Sequence, residues 1–169
     1  MVSPGRARHV SVTPRLAFNF VDVYIRKGLY PVPLPSGLGT EAAGIVQEIG
    51  PGVTEVKVGD RIAYMGGPLG AYAEERLVPA DRLVALPPGI SDVQAAAMML
   101  KGLTTQYLIR QIFRVKQGDI ILFHAAAGGV GVIACPWAKS LGATLRIGQM
   151  WLLDQYFAGK SRPTSRKSD

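Results

Sequence analysis

The sequence predicts an α/β protein in two parts: a small, partly open β barrel, then the opening of a doubly wound parallel sheet. Three observations predict it. From Gly39 to Leu86, short alternating apolar segments are separated by Pro-Gly, Gly-Asp, Gly-Gly and Pro-Pro-Gly turns. At Ser91 the period of two gives way to an Ala/Met/Leu-rich helical pattern. Between Ile120 and Leu141 a strand pattern, a glycine-rich turn and a helix pattern follow one another.

In chain order, residues 1–15 read as a basic tail. Asn19–Lys27 reads as a short helix with Phe20, Val23 and Tyr24 on one face, stopped by Gly28. Pro31, Pro33 and Pro35 impose an extended run that cannot join a central strand. The strands are then expected in AAGIVQEIG, DRIAYM, GAYAEERLV and RLVAL. Ser91 and Gln94 form a capping box for a helix to about Leu100, and a second helix is expected over Thr104–Phe113. Ile120–His124 is a buried-type strand. The helix after the glycine turn ends at Leu141 with Gly142 as its cap, and Thr144–Ile147 begins a second parallel strand. Residues 149–169 fit no element and read as an unstructured tail. The expected domains are therefore 16–90 and 91–148, flanked by the two tails.

Composition narrows the function classes. Hydrophobic residues make up 48% and charged residues 18% of 169, enough apolar material for a core. No apolar run approaches the ~20 residues that cross a bilayer. The N-terminus lacks the apolar stretch of a secretory signal, and Pro4, Gly5 and Pro14 argue against an amphipathic transit helix. With a single cysteine, no internal disulfide forms. The expectation is a cytoplasmic protein. The net charge of +7 sits in the tails: +3 over residues 1–15, +4 over 139–169 and zero between. Phosphate-backbone binding needs a clustered basic surface, so this distribution points away from nucleic acid.

The chemistry-bearing motif is Ala126-Ala127-Gly128-Gly129-Val130-Gly131, between a strand and a helix. Against G-x-G-x-x-G, Ala126 takes the first glycine position, while Gly128 and Gly131 match the second and third. Gly128 would let the backbone approach a pyrophosphate, Gly131 would let helix and strand pack closely, and free N–H groups at the helix start would bind the anion. An ordinary tight βα turn is the alternative.

The run FHAAAGGVGVIAC-x-WAK-x-LGAT resembles the quinone oxidoreductase (zeta-crystallin-like) branch of the zinc-independent medium-chain dehydrogenase/reductase superfamily. NFVDVYIRKGLYPVPLPSGLGTEAAGIVQEIGPGV, VGDRIAY, GAYAEE and KGLTTQYLI extend the resemblance from Asn19 to about Thr144, three-quarters of the chain. It implies a GroES-like β barrel, here partial, followed by a Rossmann domain, here incomplete, with NADPH in the cleft between them. It implies hydride transfer from NADPH to a small-molecule quinone, enone or other activated alkene. It further implies that Asn19, Asp22 and Tyr24 line the catalytic side of the cleft, that Thr104 contacts the nicotinamide side of the cofactor, and that Ala127, Gly128, Gly129, Val130 and Gly131 hold the pyrophosphate. From the residues alone, Asn19 is equally a helix cap, Tyr24 a core aromatic and Thr104 a helix-start residue.

A metal is not expected. Where zinc-dependent relatives place His in a G-H-E motif, Gly39-Thr40-Glu41 has Thr, and one Cys with two His cannot supply the three or four ligands of a zinc site. Cys135 reads as a buried thiol and His124 as a locally bonded strand end. Some features depart from the branch. Pro136 stands inside the helix after the turn. An extra residue in ATLRIGQ is expected to turn Arg146 toward the core. Asp154 stands roughly 20 residues on, where a ribose-binding acid would lie, but without a strand to end. Members of the branch run to roughly twice this length, so the resemblance implies a chain shortened at both ends. The competing expectation is an inactive fragment, at most an interaction module that self-associates through exposed sheet edges.

Overall fold

Strand structure begins before the point the sequence predicts. The computed structural model describes residues 9–148. Its first strand, β1 (His9–Leu16), begins within the segment that the sequence reading assigned to a basic tail and takes up the second half of it. Residues 1–8 and 149–169, with the rest of both predicted tails and Asp154, lie outside the described residues. Pro14 falls inside this strand. It is tolerated because β4 (Arg76–Pro79) pairs with β1 only from His9 to Val12, so at Pro14 the strand has β2 (Glu41–Ile49) on one side alone. A proline without an N–H fits a position whose second edge is unpaired.

The chain divides into two compact units between Leu100 and Lys101. In the first, β1, β2, β3 (Arg61–Met65), β4 and β5 (Val84–Ala85) form an antiparallel sheet of order β4-β1-β2-β3-β5. β4 and β5 are its two edges, so the sheet is open. Of the predicted segment GAYAEERLV only Arg76–Pro79 is strand, and of RLVAL only Val84–Ala85, after a 3-10 turn at Ala80–Arg82.

Cross-strand register explains why the start of β2 is buried on both faces. Ala42 pairs with Tyr64 and Gly44 with Ile62; with Val46, Val53, Val56 and Val78 these line one core. Ala43 pairs with Ala63 on the opposite face, which packs against Ala95 and Ala96 of α2 (Asp92–Gln106). Small side chains on both surfaces let the helix lie close to the sheet. The first part of α2 thus belongs with the strands, although the period changes at Ser91.

The capping box forms as expected: Ser91 N–H donates to Gln94 Oε1 at 3.0 Å and Gln94 N–H to Ser91 Oγ at 3.3 Å. Arg61 binds Asp92 Oδ1 through Nε at 2.8 Å and the Ile90 carbonyl through Nη2 at 2.6 Å, tying β3 to the first turn of α2. There is no break near Leu100. Instead α2 continues to Gln106 and passes into a π-helical stretch, Tyr107–Ile112, in which Ile109 is buried and Tyr107, Leu108 and Ile112 are exposed. The two helices expected from sequence are one continuous helical run, because Gly102 costs only about 1 kcal/mol inside a helix and does not by itself end one.

The second unit holds β6 (Ile120–His124), α3 (Gly131–Ser140) and β7 (Thr144–Gly148), with β6 and β7 parallel and Ile120 opposite Thr144. Ile109, Val115, Ala138 and Ala143 form its core, with Ile121, Trp137, Leu141 and Leu145 packed against it. Alternation puts Ile120 and Leu122 on the other face, and among the described residues nothing covers it: they are 68% and 59% exposed. The strand read as buried on both faces is buried on one. Arg146, expected toward the core, is exposed opposite Leu122, and Leu145 takes the inward place. The inward set is fixed by pairing with β6, which the count along β7 alone could not supply. Cys135 is half-buried rather than enclosed.

Pro136 lies in the interior of α3 and is exposed. Its ring leaves the Val132 carbonyl without a helical donor. Pro136→Ala is expected to stabilise the second unit by about 2 kcal/mol, seen as a higher melting temperature by circular dichroism.

Candidate functional site

Two clusters carry the predicted site residues, one in each unit. In the first, α1 (Phe20–Arg26) is anchored by its polar residues. Asn19 is its N-cap, and its backbone N–H donates to Asp22 Oδ2 at 2.9 Å. The face expected to be buried is not: Phe20 is 72% exposed, whereas Asn19 and Asp22 are buried. The Asn19 side-chain amide donates to Glu41 Oε1 at 2.7 Å, and the Leu100 N–H donates to Glu41 Oε2. Tyr72 donates its hydroxyl to Asp22 Oδ2 at 2.9 Å. Gly39 permits this arrangement, since a β-carbon there would stand 2.5 Å from the Tyr72 ring and its φ is +90°.

Asn19 and Asp22 are therefore brought together, in a network with Glu41 and Tyr72 that the sequence reading did not select. Glu41 is completely buried. One signal was available: an acid that opens an apolar strand on the register of Ala43 faces inward and needs donors. Tyr24 does not join this network. Its ring lies 6.1 Å from Phe20 and 5.4 Å from Tyr30, and it is partly exposed rather than a core aromatic. Asp22 Oδ1 is buried without a partner among the described residues. A groove of about 430 Å³ along α1 and the proline-rich segment, lined by Arg26, Tyr30, Val32 and Leu38, contains none of Asn19, Asp22, Glu41 or Tyr72.

Burial first, then the Asp22 hydrogen bond and the Asp22 and Glu41 charges, push the Tyr72 phenol up to about 12. It remains a donor throughout the physiological range. Because the folded value lies above the unfolded value near 10, this contribution to stability is present below pH ~10 and is lost as pH rises through the folded value. Tyr72→Phe is expected to remove a late-titrating tyrosine from an alkaline absorbance titration and to flatten the fall in stability above pH ~10.

In the second unit the glycine turn is sterically defined. Ala125 adopts φ +54°, so the left-handed step falls one residue before the position aligned with the first glycine. A β-carbon on Gly131 would stand 2.3 Å from the Ala126 carbonyl oxygen and 2.6 Å from Ala126 Cα. On Gly128 it would stand 3.0 Å from the Ala125 oxygen. Gly128 N–H closes the turn onto that oxygen at 2.8 Å, and Val132 N–H makes an i→i−4 bond to Gly128 O. The N–H groups of Gly129, Val130 and Gly131 stand ahead of it, where a helix start leaves donors for an anion. Thr104 is half-buried, while its neighbour Thr105 is fully buried, with its hydroxyl 2.9 Å from the Lys101 oxygen and 3.4 Å from the Val130 oxygen. Among the described residues no group of three His, Cys, Asp or Glu side chains could hold a metal ion, and no helix is long and apolar enough to cross a membrane.

An open antiparallel sheet unit is thus followed along the chain by a β-glycine turn-α-β unit. A sequence profile of the alcohol dehydrogenase GroES-like domain matches residues 9–88, which includes β1. The chain is 59% identical to the quinone oxidoreductase of Pseudomonas aeruginosa over 84% of its own length and 44% of that protein's. It is 47% identical to 2-haloacrylate reductase of a Burkholderia species, covering 85% of this chain and 45% of that one. The crystal structure of Escherichia coli quinone oxidoreductase complexed with NADPH superposes with a TM-score of 0.81 at 53% identity, covering 83% of this chain and 44% of that one. These likenesses support the quinone oxidoreductase branch of zinc-independent medium-chain dehydrogenases/reductases, and the chain spans less than half the length of these relatives.

Proposed function

We propose that this chain carries the substrate-side network and the diphosphate-binding turn of an NADPH-dependent reductase of quinones or activated alkenes. The observation that carries the reading is the turn from Ala125 to Gly131. Gly131 has no room for a β-carbon, and three N–H groups precede the helix's hydrogen bonding. The residues present fit a dinucleotide diphosphate, which the N–H groups of Gly129, Val130 and Gly131 would hold. The cofactor, when bound, supplies the hydride. The chain's own residues orient and exclude water. Asn19 and Asp22 would form the polar wall on the substrate side, with Glu41 and Tyr72 fixing their side chains. Thr104 is proposed to border the nicotinamide and Tyr24, with Phe20, to offer an aromatic surface to a planar substrate.

Titration of the purified chain with NADPH, followed by fluorescence and with NADH beside it, tests the reading. Saturable binding in the micromolar range supports it. No binding by a chain whose folding is verified by circular dichroism overturns it.

A second reading rests on the uncovered face of β6 and β7. Ile120 and Leu122 are more than half exposed, and such a face favours self-association. An interaction module would then be the outcome, and sedimentation of Leu122→Lys beside the parent chain separates the two: loss of a dimer supports it, an unchanged monomer excludes it.

A further inference from the structure

Lys101 has a side chain that the family motif does not explain. A β-carbon placed on Gly129 would lie 2.8 Å from Lys101 Cδ, 2.9 Å from Cε and 3.4 Å from Cγ. The aliphatic stem of the lysine therefore lies across Gly129, with its ammonium one bond beyond Cε. Gly129 is open for this stem. That role differs from Gly131, whose missing β-carbon makes room for backbone.

A second observation fixes the base of the side chain. Thr105, fully buried, bonds the Lys101 carbonyl at 2.9 Å and reaches the Val130 carbonyl at 3.4 Å. One hydroxyl thus pins the helical turn that carries Lys101 to the residue following Gly129. The turn brings no cation of its own: from residue 117 to 138 the sequence has Asp119 as its only charged side chain and neither lysine nor arginine. Backbone N–H groups and a helix start contribute partial charges, which leaves the two negative charges of a diphosphate incompletely balanced.

We propose that Lys101 is the cation that pairs with the diphosphate of the bound dinucleotide, held over the turn by Gly129 and Thr105. This rests on the dinucleotide reading given above. The ligand class is a dinucleotide or nucleoside diphosphate, and the contact is with the diphosphate itself, so NADPH and NADH are served alike.

The test is the affinity of the full chain and of Lys101→Met for NADPH and NADH, by fluorescence titration at low and high salt. Methionine keeps an apolar stem on Gly129 and removes the charge. The expected result is a Kd about ten-fold higher for both cofactors, with a weaker dependence on salt, in a chain whose folding is verified by circular dichroism. Lys101→Arg should recover most of the affinity. Gly129→Ala should weaken both cofactors as well, because a β-carbon must push the lysine stem aside. If the parent chain binds neither cofactor, the dinucleotide reading falls and this proposal with it. If the parent binds and Lys101→Met binds equally well, this proposal alone is overturned. A loss confined to NADPH also overturns it, since the lysine would then serve the 2′-phosphate.

Discussion

Gly131→Ala is expected to destabilise the second unit by about 3 kcal/mol, the upper end for overpacking a close contact. The β-carbon would stand 2.3, 2.5 and 2.6 Å from Ala126 O, C and Cα, all backbone atoms of the turn that starts α3. Neither partner can rotate away. To admit the methyl group, α3 must slide along β6, which would break the packing of Ala138 against Ile109 and Val115. The measurement is the urea midpoint of unfolding, with Gly128→Ala and Gly129→Ala beside it. Gly128 would meet one carbonyl at 3.0 Å and Gly129 the far part of a flexible lysine. The expected order of cost is Gly131, then Gly128, then Gly129. A Gly131→Ala chain as stable as its parent would show that helix and strand are not in the close contact described.

That ranking shows what the sequence could and could not say about the turn. Ala126–Gly131 was legible as a strand-to-helix turn, because glycine spacing encodes a close approach of backbone to backbone. Which glycine serves which neighbour was not legible, since Lys101 is distant along the chain and reaches Gly129 only through the fold. The fold itself was readable wherever the local pattern and the tertiary partner agree, as at the Ser91–Gln94 cap, at β6, and at α3 with Gly142 behind it. It failed where a partner strand overrides local chemistry. Pro14 argues against a strand on its own, yet β1 sits between β4 and β2 because its proline falls beyond the reach of β4. Arg146 faces solvent for a similar reason, its side being set by the register with Leu122. The residues expected at the cleft divide the same way. Asn19 and Asp22 were named on the resemblance, and their contact is local, a cap with its third residue. Glu41 and Tyr72, which hold them, come from β2 and from the loop before β4, and only three-dimensional pairing reveals them.

Glu41 carries the second large effect. It is fully buried and receives the Asn19 amide at 2.7 Å and the Leu100 N–H, linking the cap of α1 to α2 through the first residue of β2. Glu41→Ala is expected to cost about 4 kcal/mol in the first unit, from the carboxylate lost to the Asn19 amide, a lost acceptor for Leu100 and the cavity left by the side chain. The two donors do not suffer equally. Leu100 lies within α2 and can return to the carbonyl four residues before it, whereas the Asn19 amide is held in a buried site by its place at the start of α1. Most of the loss should therefore be felt at α1. Glu41→Gln separates shape from bonding: it keeps the volume and one acceptor oxygen, but it turns an NH2 group toward one of the two donors. Its expected cost is about 2 kcal/mol. Urea midpoints of the two variants measure the order, and amide hydrogen exchange over residues 20–26 locates the change. If Glu41→Ala costs no more than Glu41→Gln, the buried volume outweighs neither bond, and the acid is held by something other than these two donors. If exchange rises in α2 and not in α1, the cap of α1 does not depend on Glu41, and Glu41 serves α2.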